Sequence, residues 1–376
     1  MKKFVSLILA VALLLSMCTV ALAEGGNYKI GIMTGTVSQN EEEYRAAQIE
    51  LERDPDHIVT DTYPDNFMSE QETTVSKMVA MAADPELKAI VMCQGVPGAV
   101  PAMAKIKETR DDILFIIGTP QEDPATISAA ADVIMYADEI RQADSIMEKC
   151  EDWGVDVLIH YSFPRHMAME LIVARHALLM ENAEAVGIEM ADVTAPDPTA
   201  EAGPAASQQF ILEDVPQQMA KYAGKKVAFF TTNCGMQVPL QQAVLAQPDA
   251  YYPSPCCPSP YHGFPSSLGI ELKISDGNET ALQNVANKLN ETGAAGRFST
   301  WAAPVAMAEI EVGVAYAKEF IAGNITERND TEALLALLND RIPGAKVNTY
   351  VNAEGVTLEN YYTILLAPVN FEDYLG

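Results

Sequence analysis

Short apolar stretches alternate with amphipathic segments along most of this chain, and that alternation restricts its fold more than any other feature. The runs at residues 87–93 (LKAIVMC) and 113–119 (ILFIIGT) are typical of strands buried on both faces. Before them, Val75, Met78 and Ala82 recur at helical spacing. Strands that alternate with helices predict a parallel sheet covered on both sides.

The alternation occurs as two successive series. The second series starts with a helix at about Glu139 and continues through the strand-like stretches VDVLIHY, GIEMADV and KKVAFFTT. A chain of 376 residues is long enough for two cores. We therefore predict an α/β protein of two doubly wound parallel-sheet domains with a ligand cleft between them.

Two serine-containing motifs predict helix starts. Ser38 with Glu41 and Ser69 with Glu72 have the spacing of capping boxes, in which each side chain satisfies a free amide at the helix start. The first helix is therefore expected to begin at about Gln39.

The N-terminus has the pattern of an export signal. Lys2 and Lys3 precede an uncharged apolar stretch that is too short for a lasting membrane span. Residues 1–23 are therefore predicted to be a signal peptide cleaved after Ala23, with lipidation at Cys18 as the alternative. Either outcome places the protein outside the cytoplasm, as a secreted, periplasmic or cell-surface protein.

Composition narrows the functional classes. The net charge of −28 would repel nucleic acid phosphates and anionic lipid, so we expect neither as a partner. The cysteines beyond Cys18 are scattered and odd in number, which favours single buried thiols over a disulfide framework.

Beyond these patterns, the exported YKIGIMTG start, the two α/β series and the late helical stretch APVAMAEIEVGVAYAKEFIAGN resemble the type I periplasmic solute-binding proteins. The chain also resembles an uncharacterised family of bacterial lipoproteins assigned to that fold. The resemblance implies two discontinuous lobes joined by three crossings, near Asp138, near residues 298–302 and near residues 344–346. The expected N-terminal lobe comprises residues 27–138 and 300–325, and the C-terminal lobe comprises residues 139–299 and 345–376.

Polar and aromatic residues follow several predicted strands. Loops at the carboxyl ends of parallel strands lie in a crevice, where side chains and free helix amides can face a ligand. Each residue also has a structural alternative, such as a helix cap for Asn233 or a surface ion pair for Arg165. The candidate ligand-binding residues are Thr34, Thr36, Ser38, Gln39, Gln94, Gly95, Thr119, Tyr161, Arg165, His166, Thr232, Asn233, Tyr261 and Phe264.

Catalytic and cofactor motifs are missing from the sequence. It contains no G-x-G-x-x-G, P-loop, G-x-S-x-G or H-E-x-x-H motif, so we expect no enzymatic activity and no cofactor. In CCPSPYHGF, the thiols of Cys256 and Cys257 with His262 could serve zinc or copper. Adjacent cysteines rarely share a tetrahedral site, and no fourth ligand is apparent, so we predict no metal and expect the aromatic residues to line the cleft.

These expectations predict a monomeric extracytoplasmic solute-binding protein that closes by a hinge on a sugar, nucleoside or small organic acid and delivers it to an ABC permease. One alternative is a ligand-sensing subunit of a membrane receptor, which would use the same cleft. A further alternative is an exported α/β enzyme.

Overall fold

A computed structural model of the protein describes residues 27–37, 39–200 and 203–376. The predicted signal peptide at residues 1–23, the lipidation site Cys18 and the candidate site residue Ser38 lie outside the described residues.

Strands and helices alternate through most of this part of the chain. The strands are β1 (Lys29–Thr34), β2 (Ile58–Thr62), β3 (Leu87–Cys93), β4 (Leu114–Gly118), β5 (Val133–Ala137), β6 (Val157–Ser162), β7 (Glu189–Thr194), β8 (Val227–Thr231), β9 (Ala250–Tyr251), β10 (Ser299–Trp301), β11 (Lys346–Val351), β12 (Thr357–Leu365) and β13 (Pro368–Asn370). The helices are α1 (Glu41–Arg53), α2 (Gln71–Ala82), α3 (Ala99–Lys107), α4 (Pro124–Ala130), α5 (Gln142–Trp153), α6 (Glu170–Val186), α7 (Gly203–Lys221), α8 (Gln237–Leu245), α9 (Phe264–Leu268), α10 (Asn278–Glu291), α11 (Val305–Ile321) and α12 (Thr331–Arg341).

The strands of the described residues form two main sheets, and β10 and β13 form a separate two-stranded ribbon. The first has the order β11-β12-β5-β4-β3-β1-β2 and is parallel except between β11 and β12. The second has the order β7-β6-β8-β9 and is parallel throughout. These sheets confirm the predicted α/β class with two doubly wound units, named here the first lobe and the second lobe.

The C-terminal segment departs from the predicted domain boundaries. Strand β12 pairs in parallel with β5, with Tyr361 beside Ile134, so β11 and β12 belong to the first lobe and not to the second. The chain returns to the second lobe only after Leu366, where Phe371 is buried among its apolar residues.

Within the part of the chain that the structure describes, three segments pass between the lobes. One follows β5, where the Asp138 amide donates to the Ile364 carbonyl. The other two are β10 and β13, which pair with each other in an antiparallel ribbon. The crossing predicted near residues 344–346 is wrong, because that segment leads into the first sheet.

Helix α1 is capped by Asn40 and not by the predicted Ser38. The Asn40 side chain accepts hydrogen bonds from the amides of Glu42 and Glu43 and donates to the Glu43 carboxylate at 2.8 Å. The helix therefore starts at Glu41, two residues later than predicted, with Asn40 as the reciprocal cap. The box predicted at Ser69 is also wrong, since the Ser69 hydroxyl donates to the Asn66 carbonyl.

Helix α11 covers the first sheet across β3 and β4. It is apolar over most of its surface, which is typical of a fully buried helix. A Cβ at Gly313 would lie 2.9 Å from a methyl of Val91, so glycine permits the close approach. This packing places Glu309 of α11 beneath the carboxyl ends of β3 and β4.

Candidate functional site

A cavity of about 130 Å³ lies between the lobes, where the carboxyl ends of both sheets face each other. The first lobe and its crossing contribute Gln39, Phe67, Gln94, Thr119, Gln121, Tyr136 and Glu139. The second lobe contributes Arg165, His166, Met169, Ile172, Pro198, Thr199, Pro204, Gln208, Thr232, Asn233, Cys234, Gly235, Cys256 and Cys257.

Side-chain amides form much of the first-lobe wall. Gln94 directly follows β3 and donates to the Glu43 carboxylate at 3.1 Å, while its own carbonyl oxygen accepts from Gln121. Gln39 precedes α1 and donates to the Asp65 carbonyl at 2.7 Å. These bonds hold the amides in fixed orientations at the cavity wall.

Two buried carboxyl groups lie behind this wall. Glu43 is fully buried and Glu309 is 1% exposed. Burial raises the pKa of both carboxyls well above the usual range. Thr119 donates to Glu309 at 2.8 Å, which links the acid to a side chain that lines the cavity.

The second-lobe wall combines a paired cation with a neutral imidazole. The Arg165 guanidinium donates to the Asp197 carboxylate at 2.9 Å and lies 5.2 Å from the Phe163 ring. His166 Nδ1 lies 3.0 Å from the Thr232 hydroxyl. Burial lowers the pKa of His166 to about 3, so its imidazole is neutral at neutral pH.

Direct contacts join the lobes beside the cavity. Glu170, the first residue of α6 in the second lobe, accepts hydrogen bonds from the Tyr350 hydroxyl at 2.8 Å and from the Ala353 amide at 2.7 Å. On another side, Ser259 of the second lobe donates to Glu42 of α1. The lobes are thus held together in a closed arrangement.

A buried ion pair supports the crossing that follows β5. Arg175 of α6 is fully buried, and its Nη1 lies 3.5 Å from the Glu139 carboxylate and donates to the Gln142 side chain at 2.9 Å. Gln142 in turn donates to the Ser254 hydroxyl and, at 2.7 Å, to the Pro255 carbonyl. The pair therefore connects α6 to the loop at residues 252–263.

The structure places the predicted site residues in three groups. Seven line the cavity, namely Gln39, Gln94, Thr119, Arg165, His166, Thr232 and Asn233. Six described residues do not line it, namely Thr34, Thr36, Gly95, Tyr161, Tyr261 and Phe264. Ser38 lies outside the described residues.

Tyr161 and Phe264 are excluded from the cavity because they form the second-lobe core. Tyr161 stacks on Phe229 and donates its hydroxyl to Asp214 at 2.8 Å. Phe264 is fully buried and contacts the rings of Tyr252, Phe298 and Phe371. The expectation that either ring lines the cleft is corrected accordingly.

The other displaced candidates have local structural roles. Thr34 donates to the Gly35 carbonyl, and Thr36 donates to Asp65 outside the cavity. Gly95 is packed so tightly that a Cβ would lie 2.5 Å from Ile117. Tyr261 is buried beside α1, in a separate depression lined by Glu41 and Glu42.

Several wall residues were missed in the sequence. Gln121 lies two residues beyond Thr119, and Glu139 lies two residues beyond β5, so the rule that strand ends line the crevice could have found both. The same rule could have found Cys234, which follows β8, whereas Gln208 on α7, Cys256 and Cys257 are brought to the wall by tertiary packing.

The family described as "Protein of unknown function (DUF3798)" matches residues 28–299. The chain belongs to the DUF3798 family. It is 33% identical over 179 residues to an uncharacterised protein of Treponema pallidum (strain Nichols), covering 46% of this chain and 81% of the relative. A second uncharacterised protein of that organism is 32% identical over 168 residues, covering 45% and 77%.

Solved structures establish the fold of this DUF3798 member. A Clostridium difficile 630 protein, described as a "Putative transcriptional regulator", aligns with a TM-score of 0.72 at 21% identity, covering 92% of this chain and 99% of its own. An ABC transporter periplasmic solute-binding protein of Actinobacillus succinogenes 130z, with bound D-allose, aligns with a TM-score of 0.55 at 12% identity, covering 79% and 92%. A sugar ABC transport substrate-binding protein of Bordetella parapertussis 12822 gives 0.57 at 10% identity, covering 93% and 91%.

These likenesses confirm the type I periplasmic binding protein fold predicted from the sequence. Within the described residues, no helix combines the length and apolar character needed to cross a membrane.

Proposed function

We propose that this chain is an extracytoplasmic solute-binding protein that encloses a small, neutral, polyhydroxylated ligand such as a sugar and presents it to an ABC-type permease. The proposal is supported by the fold, whose solved relatives include proteins described as sugar-binding components of ABC transporters. It assigns the protein a binding role without catalysis.

The main support is the position and chemistry of the cavity. Both walls present fixed side-chain amides and hydroxyls, with Gln94 and Thr119 on one side and Thr232 and Asn233 on the other. Amides and hydroxyls both donate and accept hydrogen bonds, which suits the repeated hydroxyls of a sugar. The rings of Phe67 and Tyr136 add apolar surface against which a sugar ring can pack.

Local charge favours a neutral ligand over an organic acid. Arg165, the cationic residue in the wall, is already paired with Asp197. Glu139 lines the cavity and is itself paired with Arg175, so the described wall offers no free cation to a ligand carboxylate. A carboxylate buried there would lack a counter-charge, whereas a hydroxyl can bond to the same amides without one.

Entry requires the lobes to separate. The cavity volume of about 130 Å³ is below the roughly 300–1,000 Å³ of typical ligand pockets. The contacts of Glu170 with Tyr350 and Ala353 must break when the lobes open and can re-form around the ligand. Hinge closure of this kind couples binding to a change of shape that a permease can recognise.

A thermal-shift screen of the purified protein tests the proposal, with D-allose, D-ribose, adenosine and succinate as the initial probes. A sugar at about 100 times its dissociation constant adds roughly 2.7 kcal/mol to the free energy of unfolding. We expect stabilisation by at least one sugar and none by succinate. Stabilisation by succinate alone would contradict a neutral ligand, and no shift with any member of an extended sugar panel would contradict capture of a sugar.

A further inference from the structure

A cluster of three cysteines and one histidine lies in the second-lobe wall of the cavity. Cys234 follows β8, whereas Cys256, Cys257 and His262 belong to the loop at residues 252–263. The Cys234 sulfur lies 3.4 Å from that of Cys256 and 3.5 Å from that of Cys257. The two adjacent sulfurs are 3.8 Å apart, and the Cys256 sulfur is 3.7 Å from Nε2 of His262.

These separations match the edges of a tetrahedral metal site. A zinc ion bonded to sulfur at about 2.3 Å holds its thiolate ligands about 3.8 Å apart, and slightly less from an imidazole nitrogen. All four ligand atoms lie within 4.8 Å of one another. We propose that Cys234, Cys256, Cys257 and His262 bind one Zn²⁺ ion.

The donor set also selects the metal. Thiolates are soft ligands, and three of them with an imidazole form one of the usual structural zinc sets. Hard cations such as Mg²⁺ and Ca²⁺ require oxygen ligands, which this cluster lacks. The assignment reverses the expectation from sequence of no metal, because the fold supplies Cys234 as the ligand that the CCPSPYHGF segment lacked.

The surroundings hold the ligands in place. Gln142 donates to Ser254 and to the Pro255 carbonyl, which fixes the loop immediately before Cys256. Gln241 donates to the His262 carbonyl at 3.1 Å. The Asn233 side chain accepts from the Gly235 amide at 2.9 Å and so shapes the turn that contains Cys234. Such outer contacts orient metal ligands.

The site would fasten the loop to the second lobe at the cavity wall. Three of its ligands, Cys234, Cys256 and Cys257, line the cavity. The same loop reaches the first lobe through Ser259 and Glu42. Zinc would thereby fix the loop that closes one side of the cleft, and this inference stands whichever solute the cavity binds.

Cobalt titration of the reduced, metal-free protein under anaerobic conditions tests the site, because Co²⁺ substitutes for Zn²⁺ and reports its ligands by absorption. We expect one Co²⁺ per chain, with sulfur-to-cobalt charge-transfer absorption and the strong visible bands of tetrahedral cobalt, both abolished by one equivalent of Zn²⁺. Reduced wild-type protein that shows no such spectrum would overturn the proposal without reference to any variant.

Matched variants locate the ion. Cys257→Ser and His262→Gln are each expected to weaken Zn²⁺ binding at least about 100-fold, since even outer-shell changes cost up to that factor. Cys150→Ser is the control, because Cys150 is a fully buried thiol of α5 outside the cluster and should leave binding unchanged. Undiminished affinity in folded Cys257→Ser and His262→Gln proteins would refute this ligand set.

Discussion

The ion pair of Arg175 and Glu139 allows a quantitative prediction of how a substitution changes the free energy of unfolding. Arg175 is fully buried, its ion pair with Glu139 is 3.5 Å long, and it donates a hydrogen bond to Gln142. Within the described residues, its Nε and Nη2 have no hydrogen-bond partner. The guanidinium therefore depends on this one acid for its charge compensation, and the acid depends on it.

Arg175→Met removes the cation and leaves Glu139, whose side chain is 13% exposed, without a counter-charge. Breaking a buried pair in this way costs about 3–5 kcal/mol, whereas replacing both partners by residues of similar volume is often close to neutral. We therefore expect Arg175→Met to lower the free energy of unfolding by about 3–5 kcal/mol at pH 7. The double variant Arg175→Met with Glu139→Gln should recover most of that loss.

Urea denaturation followed by circular dichroism and by tryptophan fluorescence measures these differences, since Trp153 lies in the second lobe that contains Arg175 and Trp301 lies in the first-lobe core. Arg45→Met is the matched control, because Arg45 is exposed on α1 and its pair with Glu41 is solvated. The reasoning is refuted if Arg175→Met is as stable as the Arg45 variant. A double variant that loses the full sum of the two single effects would refute it equally.

Two further predictions concern pH and closure. Burial raises the pKa of Glu309 above its value in the unfolded chain. Between the unfolded and the folded pKa of Glu309, the native state therefore keeps a proton that the unfolded chain has released. The free energy of unfolding should fall as pH rises through this window and stay low above it. Glu309→Gln, which keeps the neighbours Cys93, Thr119 and Glu43, should flatten that slope in melts recorded from pH 4 to 8, and an unchanged slope would exclude Glu309 as its source. Glu170→Ala removes the contacts with Tyr350 and Ala353, so it should open the lobes and enlarge the radius of gyration measured by X-ray scattering. Glu184→Ala, at an exposed position of the same helix, should leave the radius unchanged. Identical scattering of the two variants would refute the role of Glu170 in holding the lobes together.

The two-lobed α/β architecture could be predicted because its signals are local. The continuous apolar runs that form β3 and β4 indicate strands buried on both faces. The helical periodicity between these strands identifies the helices that cover the sheet. The destination of β12 could not be predicted, because its position between β11 and β5 depends on pairing between segments far apart in the chain. Only its pairing with β5 decides the lobe to which it belongs.

The residues of the cavity wall could be predicted where they directly follow a strand. Gln94, Thr119 and Thr232 come immediately or almost immediately after strands whose carboxyl ends face the cleft, and all three line the cavity. Tyr161 was misplaced because both faces of its strand are covered, so its side chain points into the core.

The cysteine cluster needed tertiary structure. Cys234 precedes Cys256 by 22 residues in the chain, and only the return of the loop to the end of β8 brings their sulfurs into contact.

Isothermal titration calorimetry tests most directly the claim that the cavity between the lobes binds the solute. The titrant is the sugar that gives the largest thermal shift, and the pair of variants is Gln208→Ala, which removes a wall side chain, and Gln209→Ala, its exposed neighbour on α7 outside the cavity. Loss of one hydrogen bond of about 0.5–1.5 kcal/mol predicts roughly 2–12-fold weaker binding for Gln208→Ala and wild-type affinity for Gln209→Ala. Equal affinities for both variants, or no heat of binding in the wild type, would contradict the assignment of the cavity as the solute site.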